Sequence, residues 1–189
     1  MKIGIISCCN SNVLSVFNAL SYLDLDPVLL SDRRDTCDFL IMPGIGSFDT
    51  GIHLLRTSGF HEYILEHINR GKPFIGICLG MQLLFHSSDE GEAVGLSILE
   101  GHLETLSAGI GKNSRTPPNI GYNFVEFSRG ESQNGISDDL NGYYYFIHSY
   151  ALKTKPIRNC EFATSLFNGE FFYSFFMREN ICIFSMSPK

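Results

Sequence analysis

The sequence has no tryptophan, only 18% charged residues, and no apolar run long enough to cross a bilayer as a helix. The missing tryptophan, set against 16 phenylalanines, carries no functional inference. The scarcity of charge beside 44% apolar residues excludes a disordered chain. Basic clusters are lacking too: 14 Lys and Arg face 20 Asp and Glu, a net charge of -6, which argues against a nucleic-acid partner. The six cysteines, at 8, 9, 37, 78, 160 and 182, show no C-x-x-C spacing. No metal site, redox dithiol or cofactor is therefore expected, and a reducing cytoplasm is the simple location. The first residues enter a strand pattern directly, without the layout of a signal peptide. At 189 residues the whole chain is expected to form one α/β domain, residues 1–189, with a sizeable core and no membrane contact.

What is there reads as a doubly wound sheet. Residues 2–6 are apolar throughout, as a central strand requires. Asn10 or Ser11 is expected to cap a helix over residues 12–22 that buries Val13, Val16, Phe17 and Leu20. Strands follow at 27–30 and 39–42, then a helix pair over 49–70 broken at Ser58-Gly59. Strand 74–77 leads into a helix over 79–85. Beyond it, residues 86–92 read as a polar loop, 96–106 as an alternating strand, and 107–118 as a surface loop. The remaining strands are expected near 124–127, 143–150, 162–166, 171–176 and 181–184, with Asn168-Gly169 as a turn. The β-α-β order gives a parallel core with right-handed crossovers, and the last third an antiparallel extension.

The chemistry is concentrated at Gly76-Ile77-Cys78-Leu79-Gly80. A strand that turns straight into a helix crowds its corner residue, and glycines two positions away on each side relieve the crowding. A cysteine at such a corner is presented above the sheet. The start of the following helix should favour its thiolate, and the next N–H, that of Leu79, points toward a developing oxyanion. A second flexible backbone loop, Pro43-Gly44-Ile45-Gly46-Ser47-Phe48, follows the carboxyl end of the third strand, the usual site face of such a sheet.

Together with Gly80-Met81-Gln82-Leu83-Leu84-Phe85, Pro118-Asn119-Ile120-Gly121-Tyr122-Asn123 and Tyr145-Phe146-Ile147-His148-Ser149-Tyr150, these strings make the chain similar to the class I, or triad, glutamine amidotransferases. Within that class the P-G-x-G and F-x-H-S-Y strings resemble the glutaminase subunits of imidazole glycerol phosphate synthase. The resemblance implies a flavodoxin-like fold and a thioester mechanism in which Cys78 attacks the side-chain amide of glutamine. It also implies a (β/α)8-barrel cyclase partner, in a heterodimer, that receives the ammonia for histidine biosynthesis. It places the N–H groups of Ile45 and Leu79 at the oxyanion, and Gly46, Gln82, Ser149 and Tyr150 at the substrate's amino-acid end. Asn12 falls near the partner interface, and His148 is expected to meet substrate through its backbone. The histidines at 53, 61, 67, 86 and 102 are expected to be incidental.

Several positions depart from the family pattern. Aligned on Pro188, the positions of the triad base and its orienting carboxylate hold Ser187 and Lys189, and neither suits that role. The family's final helix, which covers the sheet, has no counterpart, so exposed apolar surface is expected. Ser7-Cys8-Cys9-Asn10-Ser11-Asn12 replaces the usual first loop, Asn119 stands where a histidine is common, and Tyr122 where a tryptophan is. Two accounts fit the ending: a paralogue that has lost the pair, or a truncated or frame-slipped record. Three functional readings follow. They are a glutaminase subunit of reduced activity, a non-catalytic subunit that docks on the cyclase, and an ammonia supplier to another synthase, such as one that aminates a surface-polysaccharide sugar.

Overall fold

The computed structural model describes residues 1–8, 12–32, 35–106, 118–128, 138–154 and 160–186. In chain order, its first half runs β1 (Ile3–Ile6), α1 (Val13–Tyr22), β2 (Pro27–Leu30), β3 (Phe39–Gly44), α2 (Phe48–Ser58), α3 (Phe60–Asn69), β4 (Phe74–Cys78) and α4 (Leu79–Gln82). The second half is almost all strand: β5 (Ser87–Ser88), β6 (His102–Thr105), β7 (Asn119–Phe127), β8 (Gly142–His148), β9 (Tyr150–Leu152), β10 (Glu161–Phe167), β11 (Glu170–Arg178) and β12 (Ile181–Phe184).

These strands form one sheet whose main path is β2-β1-β3-β4-β12-β11-β10-β7-β8. The pairs from β2 to β12 are parallel, and those from β12 onward along this path are antiparallel. The parallel core and antiparallel extension therefore match the expected order. β12 returns from the antiparallel half to lie beside β4, setting the last strand next to the elbow. The β5–β6–β9 branch joins the main path where β9 meets β11.

All four residues of β1 are buried because helices cover the parallel sheet on both faces there. On one face α2, α3 and α4 enclose Phe48, Phe60, Phe74 and Phe85, each fully buried and each worth roughly 1.5–3 kcal/mol of transfer free energy. On the other face Val16 of α1 packs with Ile3, Ile5 and Ile41, flanked by Val13, Phe17 and Leu20. That is the face expected from the helical spacing. Asn10 and Ser11 lie outside the described residues. Asn12 occupies the position before α1, where its side-chain oxygen accepts from the Ser15 hydroxyl at 2.7 Å rather than from a backbone N–H. Farther along the same sheet face, Ile75, Ile77, Cys182 and Phe184 are partly buried.

Three expectations need correction. The helix after Cys78 stops at Gln82, not Phe85. The N–H groups of Leu84 and Phe85 reach back three residues, to Met81 and Gln82. The Leu83 and Leu84 carbonyls instead accept from Leu96, Ile98 and Leu99. This tight turn buries Leu83, Leu84 and Phe85 together, which a continuing amphipathic helix would not do. Residues 96–106 are correspondingly not one strand. Only His102–Thr105 is extended, and the buried leucines are 96, 99, 103 and 106 rather than alternate residues. The loop expected at 86–92 contains the short strand β5, paired parallel with β6. The surface loop foreseen at 107–118 lies outside the described residues except for Pro118. No helix among the described residues is long and apolar enough to cross a membrane. No group of three or more His, Cys, Asp or Glu among them could hold a metal ion.

Candidate active site

Cys78 ends β4 and immediately precedes α4, with φ 55° and ψ -117°. That positive φ is strained for a residue with a side chain, and close packing on both sides fixes it. Gly44, the last residue of β3, is the register partner of Cys78. A Cβ on Gly80 would overlap the Met42 carbonyl oxygen, so only glycine lets the elbow settle onto β3. The strand–corner–helix expected from the sequence is thus present. The next residue after β3, Ile45, is about half exposed, and Gly46 follows with φ 113°.

Above the elbow lies a cavity of about 340 Å³. Every site residue expected within the described part of the chain lines it: Asn12, Ile45, Gly46, Cys78, Leu79, Gln82, Ser149 and Tyr150. Ser187 and Lys189 lie outside the described residues. The antiparallel half supplies the far wall. Ser149 is the single residue between β8 and β9, and its carbonyl accepts the Leu106 N–H at 2.9 Å. Gln82 is buried, and its amide donates to the Tyr150 carbonyl at 3.3 Å, which ties α4 to that wall.

The thiol is not activated at rest. Burial pushes the Cys78 pKa above a thiol's ordinary value, the Leu79 N–H opposes this, and the negative charge of Glu90 adds to the rise. The helix start does act as expected through the Leu79 N–H, which lowers the pKa, but burial opposes it. α4 has only four residues, too few aligned peptide dipoles to outweigh desolvation.

His148 is no candidate for the base. It is buried, its Nδ1 donates to the Tyr150 carbonyl at 2.9 Å, and its Nε2 accepts from the Asn119 amide at 3.0 Å. Burial lowers its pKa, and both ring nitrogens are engaged, so the ring is a neutral structural link between β8, β9 and β7. Asn119 is itself held by Asn123, whose amide donates to it at 2.8 Å.

Glu90 is the site residue that sequence reasoning missed. It lines the cavity, and its carboxylate accepts the N–H of Phe48, the first residue of α2, at 2.8 Å. It thereby satisfies a donor that a helix start leaves open. Burial raises its pKa, against the effect of that N–H. One acidic residue within a polar stretch carries no signal by itself, and only the fold turns it inward. His102, expected to be incidental, pairs with Asp89 beside it, Nε2 to carboxylate at 2.7 Å.

Residues 6–110 match the CobB/CobQ-like glutamine amidotransferase domain. The imidazole glycerol phosphate synthase subunit HisH of Thermotoga maritima is 32% identical over 200 residues, covering 100% of this chain and 90% of its own length. That of Caldanaerobacter subterraneus subsp. tengcongensis is 40% identical over 152 residues, covering 78% of this chain and 71% of its own. The chain belongs to the HisH family of glutamine amidotransferases. The subunit of Cyanidium caldarium, 34% identical over 178 residues, spans 89% of this chain and 82% of its own. Among solved structures, a glutamine amidotransferase superposes with a TM-score of 0.72 at 17% identity, over 98% of this chain and 89% of that one. This agrees with the class I glutamine amidotransferase fold. In this HisH-family chain the elbow cysteine, the P-G-x-G loop and the Ser149–Tyr150 segment line one cavity.

Proposed function

We propose that this chain is a glutaminase subunit that supplies ammonia to a synthase partner in histidine biosynthesis, its 189 residues acting as one amidotransferase domain. The observation that carries this is Cys78, held at positive φ in a cavity whose wall also includes Glu90, Gln82, Ser149 and Tyr150. That wall offers a carboxylate for a substrate ammonium group and an amide and backbone groups for the rest of the amino-acid end. In the reaction the Cys78 sulfur bonds to the side-chain amide carbon of glutamine. The oxyanion is held by the Leu79 and Ile45 N–H groups. The C–N bond breaks, the nitrogen takes a proton, and ammonia leaves a thioester. Water then cleaves the C–S bond, giving glutamate and the thiol.

The proton acceptor for Cys78 comes from beyond the described lining. His148 is locked, and the charge of Glu90 opposes the thiolate.

The partner reading, a (β/α)8-barrel cyclase, is supported by the relatives being synthase subunits and by a face beside the cavity mouth. Ile120 pairs with Ile147, Tyr122 with Tyr145 and Phe124 with Tyr143 across β7 and β8. The outward aromatic pairs meet edge to face at 5.5 and 5.4 Å. Phe171 and Tyr143, 67% and 72% exposed, continue this apolar surface, and Ile120 and Ile147 also line the cavity. Contiguous exposed apolar surface of this kind marks a docking site. Asn12, which also lines the cavity, we assign to the same interface. We assign the chain to the cytoplasm, none of its described cysteines being in a disulfide.

The test is glutamate release from glutamine with and without the cyclase, for the native chain and Cys78→Ala. Release that depends on the thiol and rises with the partner is expected. Equal release from both proteins would overturn the glutaminase reading in favour of a docking subunit.

A further inference from the structure

We propose that Asp89 is a positioning residue that fixes the distance between the two halves of the glutamine-binding wall, using His102 and Thr105 as its anchors; this rests on the reading that the cavity takes glutamine. The Asp89 carboxylate takes its donors from β6: the Thr105 N–H at 2.8 Å, the Thr105 hydroxyl at 3.3 Å and His102 Nε2 at 2.7 Å. Its own N–H donates to the Leu103 carbonyl of the same strand at 2.8 Å. The Asp89 pKa is lowered, first by the Thr105 N–H and then by His102, as expected of a carboxylate held ionised by its donors.

A carboxylate only accepts, so His102 must carry its proton on Nε2. The Ser87 hydroxyl lies 2.8 Å from Nδ1, the other ring nitrogen. The arrangement is a relay of Ser87, His102 and Asp89, none of which lines the cavity above the elbow. Its consequence lies in what β6 touches next.

Thr105 is the register partner of Tyr150, and Leu106 donates to the Ser149 carbonyl. The strand that holds Asp89 thus also holds the Ser149–Tyr150 segment. The residue after Asp89 is Glu90, whose carboxylate enters the cavity. Both sides of the substrate wall are therefore indexed to one four-residue strand, with Asp89 as the link on the Glu90 side.

The far end of the same loop is fastened separately. The Asp49 carboxylate of α2 accepts the N–H groups of Glu92 and Ala93, at 3.2 and 3.0 Å. Removing the Asp89 side chain would therefore leave the loop attached and Glu90 bonded to Phe48 and Ser88, but would untie its neighbour's carboxylate from β6. Asp89 and His102 are nearly half exposed, so little packing is lost with either side chain. A constellation loosened in this way loses affinity before it loses stability.

The experiment measures glutamine binding by titration calorimetry on the full chain carrying Cys78→Ala, which prevents turnover. Adding Asp89→Ala is expected to raise the dissociation constant about tenfold, and His102→Ala about threefold, with the melting temperature unchanged. His102→Gln keeps a donor for Asp89 and should restore most of the loss. Asp89→Asn keeps one acceptor and should give a smaller rise, a reading available even where the alanine variant fails to fold. An unchanged dissociation constant in Asp89→Ala or Asp89→Asn, or a rise that only follows a fall in melting temperature, overturns the positioning role. Failure of the Cys78→Ala parent to bind glutamine overturns the glutamine reading and this inference with it.

Discussion

The two halves of the sheet build their sides of the cavity by different means. In the parallel half the backbone packs on the backbone. Gly80 sits against the Met42 carbonyl, Gly44 lies opposite Cys78, and helices cover β1 and β3 on both faces. In the antiparallel half side chains do the joining. Examples are His148 between Asn119 and the Tyr150 carbonyl, Ser165 donating to the Phe124 carbonyl at 2.8 Å, and Asp89 on β6. The first half holds one strained residue in place and tolerates no added atom there. The second holds a set of polar groups whose spacing can be tuned, and it leaves an aromatic face open. A nucleophile needs the former, and a recognition wall that faces a partner needs the latter.

The largest test of this contrast lies in the parallel half. Cys78→Ser should lower glutamate release by about 10³-fold or more while leaving the fold intact, as a coupled glutamate assay with circular dichroism would show. Next, Gly80→Ala should destabilise the chain by about 2–3 kcal/mol in urea unfolding, because the added methyl meets backbone that cannot yield. A Gly80→Ala protein of native stability would mean that the elbow is not rigidly seated. The antiparallel half should answer differently. Tyr143→Ser combined with Phe171→Ser should weaken cyclase binding by about tenfold, with no loss of stability, since both rings are exposed.

The smallest effect concerns the thiol. Cys78 should alkylate slowly at neutral pH and faster as the pH rises through and beyond the usual thiol range, since its pKa is raised. Glu90→Gln removes a negative neighbour and so favours the thiolate. Iodoacetamide labelling at pH 7.5 should then quicken by about threefold, equivalent to roughly half a pK unit. Slower labelling would mean that the Glu90 charge does not reach the sulfur.

Much of the parallel half was legible in the sequence because its signals are local. Pro27–Leu30 and Ile181–Phe184 are short apolar runs bounded by turns, and both strands have the expected bounds. The break between α2 and α3 falls at Gly59, as Ser58-Gly59 suggests. The same holds for the site's backbone: G-x-C-x-G and P-G-x-G are strings whose spacing alone defines a corner and a loop. The end of α4 was not legible, because it depends on Leu83 and Leu84 giving their carbonyls to residues 96–99, a pairing with no trace in either segment. Glu90 and His102 escaped for the same reason. Each is one polar residue in a polar stretch until β6 lines up beside β9.

The sequence by itself determined the order of strands and helices, the cysteine corner and the backbone loop opposite it, since periodicity, glycine placement and strand-to-helix spacing are properties of adjacent residues. Only the tertiary structure decided the electrostatics of the site. Whether a thiol is raised or lowered, which carboxylate faces it, and whether a histidine keeps a free nitrogen all depend on burial and on partners distant in the chain. For Cys78 burial outweighs the Leu79 N–H. For His148 two hydrogen bonds from other strands remove the base that a sequence string can suggest but not test.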